Sequence, residues 1–357
     1  MGSGGTTQQG TGGVNGTGGR TSPGSGGAET GGRSGSGGSG VGGAATGTGG
    51  TVLAASGGNG ALGGATGPGS GGATGPGSGG ATGPGSGGSS GGSGVDAGVA
   101  QSAGCGKTRT LQNGTITITS GGASRKYILL VPGSYDNSHP YRLVFAFAES
   151  GSSAQSVADR NYFTMATQDG KNTIFAAPDA ANGAGSWSNT DVAFTDAILA
   201  QLEGDFCIDT TRVFATGFSF GAAMAMALAC TRADVFRAVA FFSGADLTNS
   251  CPTTLTKPIA YYASQASQDS AGMTTSPMLG EVKQAQFAAV NGCTAEPAST
   301  TFPAAGQPHT CTIYKGCSAG HPTEYCVFNG PHGWEPVDPG QTTSWDAPEA
   351  WKFITQF

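Results

Sequence analysis

Short apolar runs alternate with helical patterns along the chain from residue 114 to its end. The first run, 114–120, alternates polar and β-branched residues with a period of two, which predicts a half-buried strand. The later runs are apolar at nearly every position, which predicts strands covered on both faces. The predicted strands occupy 114–120, 125–132, 141–148, 172–180, 211–218, 236–244, 257–264 and 323–330.

Two helices are predicted between these strands. Residues 191–206 place Phe194, Ile198 and Leu202 four positions apart, so that the three side chains share one face of a helix. Residues 221–231 are mostly alanine and methionine, which are strong helix formers. Strands that alternate with helices predict an α/β fold, with a doubly wound, mostly parallel sheet and helices on both of its faces.

The first hundred residues follow neither pattern. They contain 44 of the 67 glycines, and no aromatic residue occurs before Tyr127. The sequence ATGPGSGG also repeats three times in register from Ala65. Such a segment buries too little apolar surface to offset the entropy of ordering it. We therefore predict a disordered Gly/Ser/Thr/Pro-rich linker over 1–104 and one folded domain over 105–357.

Charge and cysteine content narrow the partners and the compartment. The formal net charge is −6 without any Lys/Arg cluster, which argues against binding of nucleic acid or of an anionic membrane. The chain contains no run of 18 apolar residues, so no membrane-spanning helix is predicted. The eight cysteines all follow position 104 and form no C-x-x-C motif, which favours disulfides in a secreted or surface-tethered protein. The first ten residues lack the features of a signal peptide. Disulfide pairing and oligomeric state stay open.

The stretch TGFSFGAAM carries the strongest chemical signal. Ser219 lies between Gly217 and Gly221, where a predicted strand meets a predicted helix, and in this context G-x-S-x-G indicates a nucleophile on a tight turn. The glycines permit the turn, and the start of the helix favours developing negative charge. We predict that Ser219 is a nucleophile; the alternative is an ordinary strand-to-helix turn.

A serine nucleophile needs a histidine base, and the chain has four histidines. His332 follows the last predicted strand in a loop bounded by Gly and Pro, where the catalytic loops of doubly wound sheets collect. His139 precedes the serine, and His309 and His321 lie in a Cys/Pro-rich segment that we expect to be held by disulfides. His332 is therefore the predicted base.

An acid is expected after a strand between the serine and the histidine. Asp246 follows the predicted strand 236–244, and Asp269 follows the predicted strand 257–264. From position alone, either carboxylate can orient the imidazole. The alternative for each is a loop aspartate that accepts hydrogen bonds from its own backbone.

Similarity to known proteins extends well beyond the G-x-S-x-G motif at 217–221, through segments spread over 105–357. They include CGK (105–107), IFAAPD (174–179), RVFATGFSFGAAM (212–224), LACTRADVFRAVAFFSGA (228–245), PIAYYAS (258–264), NGCT (291–294) and WKFITQF (351–357). These segments resemble the secreted feruloyl esterases and the polyhydroxybutyrate depolymerase-like esterases, which have the α/β-hydrolase fold. The resemblance implies a triad of Ser219, Asp269 and His332, and so favours Asp269 over Asp246.

Three positions depart from the pattern of that family. Ala148 and Glu149 occupy the place where the family usually has a histidine-containing oxyanion loop. The stretch ASQASQD occupies the place where the family usually has His-Gly before the acid. Ala222 follows the second glycine of the G-x-S-x-G motif, where the family commonly has another glycine. The predicted oxyanion donors are the backbone amide of Phe220 and one amide of the Ala148–Glu149 turn.

These residues predict a serine carboxylesterase that works through an acyl-enzyme without a metal or organic cofactor. Trp187 and Trp334 are expected to line the acyl pocket. The resemblance favours feruloyl (cinnamoyl) esters of plant cell-wall polysaccharide as substrates. The alternatives are a polyhydroxybutyrate depolymerase, an acetyl-xylan-type esterase, or a non-catalytic surface module with an α/β-hydrolase-like fold. A long linker suits reach over an insoluble polymer.

Overall fold

A computed structural model describes residues 100–168, 171–244, 247, 250–269, 279–294 and 301–357. The predicted linker lies outside the described residues up to position 99. Residues 100–104 belong to the folded part, because the Ser102 hydroxyl donates to the Phe206 carbonyl at 2.6 Å and accepts from the Ile208 N–H at 2.8 Å. The Ala100 carbonyl also accepts from the Thr210 N–H at 2.8 Å, so the described fold includes residues ahead of the predicted boundary at Cys105.

Nine strands of the described chain form one sheet. They are β1 (Gly114–Ser120), β2 (Ala123–Leu130), β3 (Tyr141–Phe147), β4 (Thr173–Pro178), β5 (Ile208–Gly217), β6 (Ala238–Phe242), β7 (Ala260–Gln268), β8 (Thr310–Ile313) and β9 (Thr323–Pro331). Their order in the sheet is β1-β2-β4-β3-β5-β6-β7-β9-β8. The central strands β4, β3, β5, β6, β7 and β9 are parallel to one another. Strands β1, β2 and β8 pair antiparallel at the two edges.

Helices cover both faces of the sheet, as two adjacent residues of β7 show. The Tyr261 ring stacks on Phe287 at 4.4 Å, whereas the Tyr262 ring contacts Phe353 at 5.7 Å. The described helices are α1 (Ala154–Asp159), α2 (Met165–Gln168), α3 (Thr190–Asp205), α4 (Phe220–Thr231), α5 (Leu279–Val290) and α6 (Asp346–Thr355). Because successive side chains of a strand point to opposite faces, Phe287 with α5 and Phe353 with α6 lie on opposite faces of the sheet.

The burial pattern agrees with the apolar runs in the sequence. Every residue of β3, β4 and β6 is buried, whereas β1 alternates partly buried and exposed positions. In α3, Phe194, Ile198 and Leu202 are fully buried. Sequence patterns missed helices α1, α2, α5 and α6 and the four-residue strand β8. The fold is therefore the predicted α/β-hydrolase architecture with additional short elements at its edges.

Four disulfides tie the described chain together, and none of its cysteines is free. Cys105–Cys207 joins the start of the domain to the segment before β5, and Cys311–Cys326 joins β8 to β9. The other pairs are Cys230–Cys251 and Cys293–Cys317. Among the described helices, none has the length and apolar character needed to cross a membrane.

Candidate active site

Ser219 occupies a strained turn between β5 and α4. Its backbone has φ 56° and ψ −117°, a conformation that residues with a side chain rarely adopt. The Ser219 N–H donates to the Phe242 carbonyl of the neighbouring β6 at 3.1 Å, which fixes the turn to the sheet. Ser219 is partly exposed beside buried Gly217 and Gly221. This geometry is typical of a nucleophile elbow.

The two glycines of the motif are required by close backbone contacts. A Cβ at Gly217 would lie 2.5 Å from the backbone carbonyl carbon of Gly221. A Cβ at Gly221 would lie 2.7 Å from the Ala148 carbonyl oxygen, and closer still to that of Phe147. The elbow therefore packs directly against the end of β3, so the Ala148–Glu149 loop lies beside the start of α4.

The two predicted oxyanion donors lie in these two neighbouring segments, the start of α4 and the Ala148–Glu149 loop. Phe220 is the first residue of α4, and the first N–H groups of a helix have no acceptor within the helix. The helix dipole adds a partial positive charge at the same end. The Ala148–Glu149 backbone is the adjacent segment. An anion that forms next to Ser219 would thus meet amide hydrogens and the positive end of a dipole.

Two strand ends bring Asp269 and His332 together. Gln268 of β7 pairs with Pro331 of β9, so the next residue of each strand leaves the same edge of the sheet. His332 Nδ1 lies 2.9 Å from Oδ1 of Asp269, although this oxygen lies off the direction of the ring N–H. The Asp269 side chain is fully buried, and Gln265 donates to its Oδ2 at 2.6 Å. The alternative acid, Asp246, lies outside the described residues.

The other imidazole nitrogen of His332 is buried. In the described part of the chain, Nε2 has no hydrogen-bond partner, so no Ser219–His332 hydrogen bond is present. Catalytic hydrogen bonds are often long or poorly aligned without substrate and shorten when it binds. The His332 ring contacts the Phe218 ring at 4.6 Å between centroids, which fixes it above the residue preceding the serine.

A cleft of about 610 Å³ opens beside His332. Its volume falls within the range of small-molecule sites. Glu149 and Arg160 lie on its wall and form a 2.8 Å ion pair. The cleft lining also includes aromatic and proline side chains, among them those of Phe218, Phe328, Trp334, Pro336 and Trp345.

The two tryptophans predicted as pocket walls occupy different places. Trp334 lines the cleft and contacts Phe163 edge-on at 5.3 Å. Trp187 is only 4 % exposed and is not among the residues that line the cleft. Its indole Nε1–H donates to the Ala148 carbonyl at 2.7 Å. This position suits support of the oxyanion loop better than contact with an acyl group.

Sequence patterns missed a left-handed turn behind the cleft. Four consecutive non-glycine residues, 161–164, have φ between 52° and 60°, a conformation that costs about 1–2 kcal/mol per residue. The turn holds Phe163 against both Trp334 and Phe242. Strain of this kind persists where surrounding packing over-determines it, often at functional sites. No composition signal marks this segment, because its residues are not the glycines that such turns normally use.

Ser243 is a second residue that the sequence did not single out. It follows β6 with φ 42°, is fully buried, and donates from its hydroxyl to the Gly333 carbonyl at 3.2 Å. Gly333 directly follows His332, so this hydrogen bond anchors the loop of the predicted base. The position of a serine directly after a buried strand is the signal that would have found it.

Comparisons with known proteins identify relatives of this chain by sequence. No protein-family model matches the chain. The chain is 36% identical over 276 residues to feruloyl esterase D of Neurospora crassa, covering 73% of this chain and 92% of that protein. It is also 36% identical over 264 residues to feruloyl esterase C of Emericella nidulans, covering 71% and 91%.

A solved acetyl xylan esterase from Aspergillus awamori aligns with a TM-score of 0.48 and 15% identity, over 67% of this chain and 98% of that one. The relationship is decided by the sequence relatives, which the chain matches over nine-tenths or more of their length. On this identity and coverage, the chain belongs to the feruloyl esterase family.

Proposed function

We propose that the protein is a serine carboxylesterase that hydrolyses feruloyl and related cinnamoyl esters of plant cell-wall polysaccharide. The observation that carries the proposal is the strained Ser219 elbow next to the His332–Asp269 pair, whose imidazole packs on Phe218 and lines the cleft. The names of the fungal relatives, feruloyl esterases C and D, support the choice of ester.

In this mechanism, Ser219 Oγ attacks the ester carbonyl carbon and His332 Nε2 accepts the hydroxyl proton. The carbonyl oxygen becomes an oxyanion that the Phe220 N–H and an N–H of the Ala148–Glu149 turn stabilise. The bond from the carbonyl carbon to the alcohol oxygen then breaks, and His332 returns the proton to the departing alcohol. Water then attacks the acyl carbonyl carbon while His332 Nε2 accepts a proton from it. The bond from that carbon to Ser219 Oγ breaks, His332 returns the proton to Oγ, and the acid leaves.

Asp269 serves this cycle as a buried counter-charge. His332 becomes positively charged each time it accepts a proton, and the Asp269 carboxylate 2.9 Å from Nδ1 stabilises that state. The Gln265 amide holds the second carboxylate oxygen at 2.6 Å and so keeps Asp269 turned toward the histidine. Gln265 is itself buried within β7, which makes this support rigid.

The proposal includes the setting of the enzyme. Four disulfides support an oxidising, extracellular environment. We assign residues 1–99, which lie outside the described part, the role of a tether that extends reach over an insoluble polymer; this role rests on their composition alone.

A substrate screen with an active-site label tests the function. The expected result is labelling of Ser219 by a fluorophosphonate and a higher kcat/KM for methyl ferulate than for acetyl or hydroxybutyrate esters. The Ser219→Ala variant is the control and should take no label. Absence of labelling in the wild type would indicate a non-catalytic module. Rapid hydroxybutyrate hydrolysis with background ferulate turnover would instead indicate a depolymerase.

A further inference from the structure

A second histidine–aspartate pair lines the cleft that contains His332. His309 Nδ1 lies 2.8 Å from Oδ2 of Asp338, and the His309 backbone N–H donates to the other carboxylate oxygen at 2.8 Å. The imidazole also stacks on the Trp345 indole, with centroids 3.6 Å apart and planes within 8°. All three side chains belong to the cleft wall. The catalytic mechanism above uses none of them.

The carboxylate contact determines which way the imidazole can hydrogen-bond. An ionised Asp338 carboxylate can accept hydrogen bonds but cannot donate them, so the proton of a neutral His309 is held on Nδ1. The opposite nitrogen, Nε2, then carries a lone pair and acts as an acceptor. Within the described residues Nε2 has no partner, and it is not among the buried unpaired atoms. The cleft wall therefore presents a fixed acceptor for a ligand hydroxyl.

Strand register sets the distance from this acceptor to the catalytic end of the cleft. Thr310 of β8 pairs with Val327 of β9, which places His309 opposite Phe328. His332 lies four residues further along the chain, a span of at most about 13 Å in extended backbone. Both histidines line the same cleft, so a single ligand can place its reacting carbonyl near His332 and a hydroxyl near His309.

Aromatic and proline side chains line the same cleft as the two histidines and suit a flat, rigid ligand. Phe328 packs edge-on against Trp345 at 5.8 Å, and Pro336 and Val337 line the same cleft. Aromatic and proline surfaces give a planar ring extensive contact at a low cost in side-chain entropy. A polar acceptor at the end of such a wall selects for a donor at one position of the ring.

We propose that His309, oriented by Asp338 and Trp345, is a specificity-determining residue that accepts a hydrogen bond from the phenolic hydroxyl of a 4-hydroxycinnamoyl group. This inference rests on the proposed function, because it requires the acyl carbonyl to lie at Ser219. Beyond the proposed function, the inference specifies which substituent of the acyl ring the enzyme recognises, namely the 4-hydroxyl group. A phenol is a stronger hydrogen-bond donor than a sugar hydroxyl, so the acyl group satisfies the acceptor better than the alcohol does.

The first test uses the wild-type protein and three esters that differ only at the para position. Methyl 4-hydroxycinnamate can donate to His309, whereas methyl 4-methoxycinnamate and methyl cinnamate cannot. We expect kcat/KM for the 4-hydroxy ester to exceed those for the other two by about tenfold, the value of one well-placed hydrogen bond. Equal kcat/KM values would overturn the inference while leaving the esterase proposal intact. This comparison needs no variant and so does not depend on folding.

The second test removes the acceptor but keeps the ring. His309→Phe retains an aromatic ring against Trp345 and should abolish the preference for the 4-hydroxy ester while changing methyl cinnamate turnover little. The matched control is His139→Phe, because His139 also packs on an aromatic ring, that of Tyr141 at 4.8 Å, and is not among the residues of the cleft. An equal loss on all three esters would show that His309 only supports the fold.

A third comparison distinguishes the acyl group from the alcohol. Feruloyl-arabinose and methyl ferulate share the phenol and differ in the sugar. If His309→Phe selectively removed a preference for feruloyl-arabinose, with the 4-hydroxy preference retained, His309 would bind the sugar and the inference would fail. A wild type that hydrolyses acetyl esters but no cinnamoyl ester would overturn the proposed substrate class together with this inference.

Discussion

The indole Nε1–H of Trp187 donates a 2.7 Å hydrogen bond to the carbonyl oxygen of Ala148, the first residue after β3. The Trp187 ring packs edge-on against Phe147 at 5.2 Å, and so it is fixed in the core. Gly185 lies so close to the Glu149 carbonyl that a side chain there would collide with it. The 183–187 segment thus packs against the Ala148–Glu149 loop, which we propose to hold the oxyanion.

The Trp187→Phe variant tests this support. It keeps an aromatic ring against Phe147 but leaves the Ala148 carbonyl without its donor, and loss of one buried hydrogen bond costs about 1–3 kcal/mol. If the loop holds the oxyanion, kcat should fall about tenfold or more on acetyl and feruloyl esters alike. The Trp334→Phe variant is the control, because Trp334 lines the cleft and should affect KM for cinnamoyl esters more. A loss confined to cinnamoyl esters in Trp187→Phe would instead assign it to the pocket.

Two substitutions at Ser219 should separate activity from stability. Ser219→Ala should lower ester hydrolysis by about a thousandfold or more, since it removes the hydroxyl of the proposed nucleophile, with little change in the free energy of unfolding. Ser219→Gly should be equally inactive and about 1 kcal/mol more stable, because glycine adopts φ 56° and ψ −117° without strain. Urea unfolding and steady-state kinetics give both quantities. Turnover in Ser219→Ala above about a hundredth of wild type would exclude Ser219 as the nucleophile.

A buried carboxyl should make stability depend on pH. Burial raises the pKa of Asp346 to about 7, although hydrogen bonds from Ser264 and Tyr262 partly offset the shift. Burial, and then the charge of Glu349, similarly raises the pKa of Glu324 to about 7. Both folded-state values lie above the unfolded values, so between about pH 4 and pH 7 the unfolded chain releases protons that the folded chain keeps.

The free energy of unfolding should therefore fall as pH rises from about 5 to 7, by up to about 1.4 kcal/mol per pH unit for each carboxyl. Asp346→Asn removes one of the two groups and should flatten the slope by up to that amount. Urea titrations at several pH values in both proteins measure it. An unchanged slope in Asp346→Asn would mean that Asp346 is ionised in the folded protein.

The start of the folded domain can be tested by truncation. A chain that begins at residue 100 should match the full chain in kcat/KM for a soluble ester. A chain that begins at residue 105 loses the two hydrogen bonds of Ser102 and should be about 1–3 kcal/mol less stable. Thermal unfolding of the pair compares them directly. Equal stability would return the boundary to Cys105.

Thiol titration tests the disulfides. The denatured, unreduced protein should react with essentially no thiol reagent, because every described cysteine is paired. Replacing both members of Cys105–Cys207, which encloses the longest loop, should cost about 3–5 kcal/mol. Replacing Cys311 and Cys326, which enclose a much shorter loop, should cost less. Mostly free thiols would indicate a reducing compartment.

The sequence by itself determined the strands and helices that have a strong hydrophobic pattern. It also determined which candidate catalytic residues follow the ends of those strands. Buried strands such as β3 and β6 are recognisable because parallel strands covered on both faces must be apolar throughout. Ser219 is recognisable because the tight strand-to-helix turn leaves no room for a side chain two positions before or after it, at Gly217 and Gly221. His332 is recognisable because it follows the last central strand. Helices α1 and α2 escaped notice because they are too short to build a periodic pattern.

Only the tertiary structure decided which side chains meet. The Asp269–His332 contact depends on the register of β7 with β9, and residue spacing carries no information about register. Trp187 has the composition of a pocket wall, yet packing turned it toward the Ala148 carbonyl. The sequence does not distinguish His309 from the other loop histidines. The pairing of β8 with β9 places it at the cleft. Local propensity acts over a few residues, whereas these contacts join segments far apart in the chain, and only the packed sheet brings such segments together.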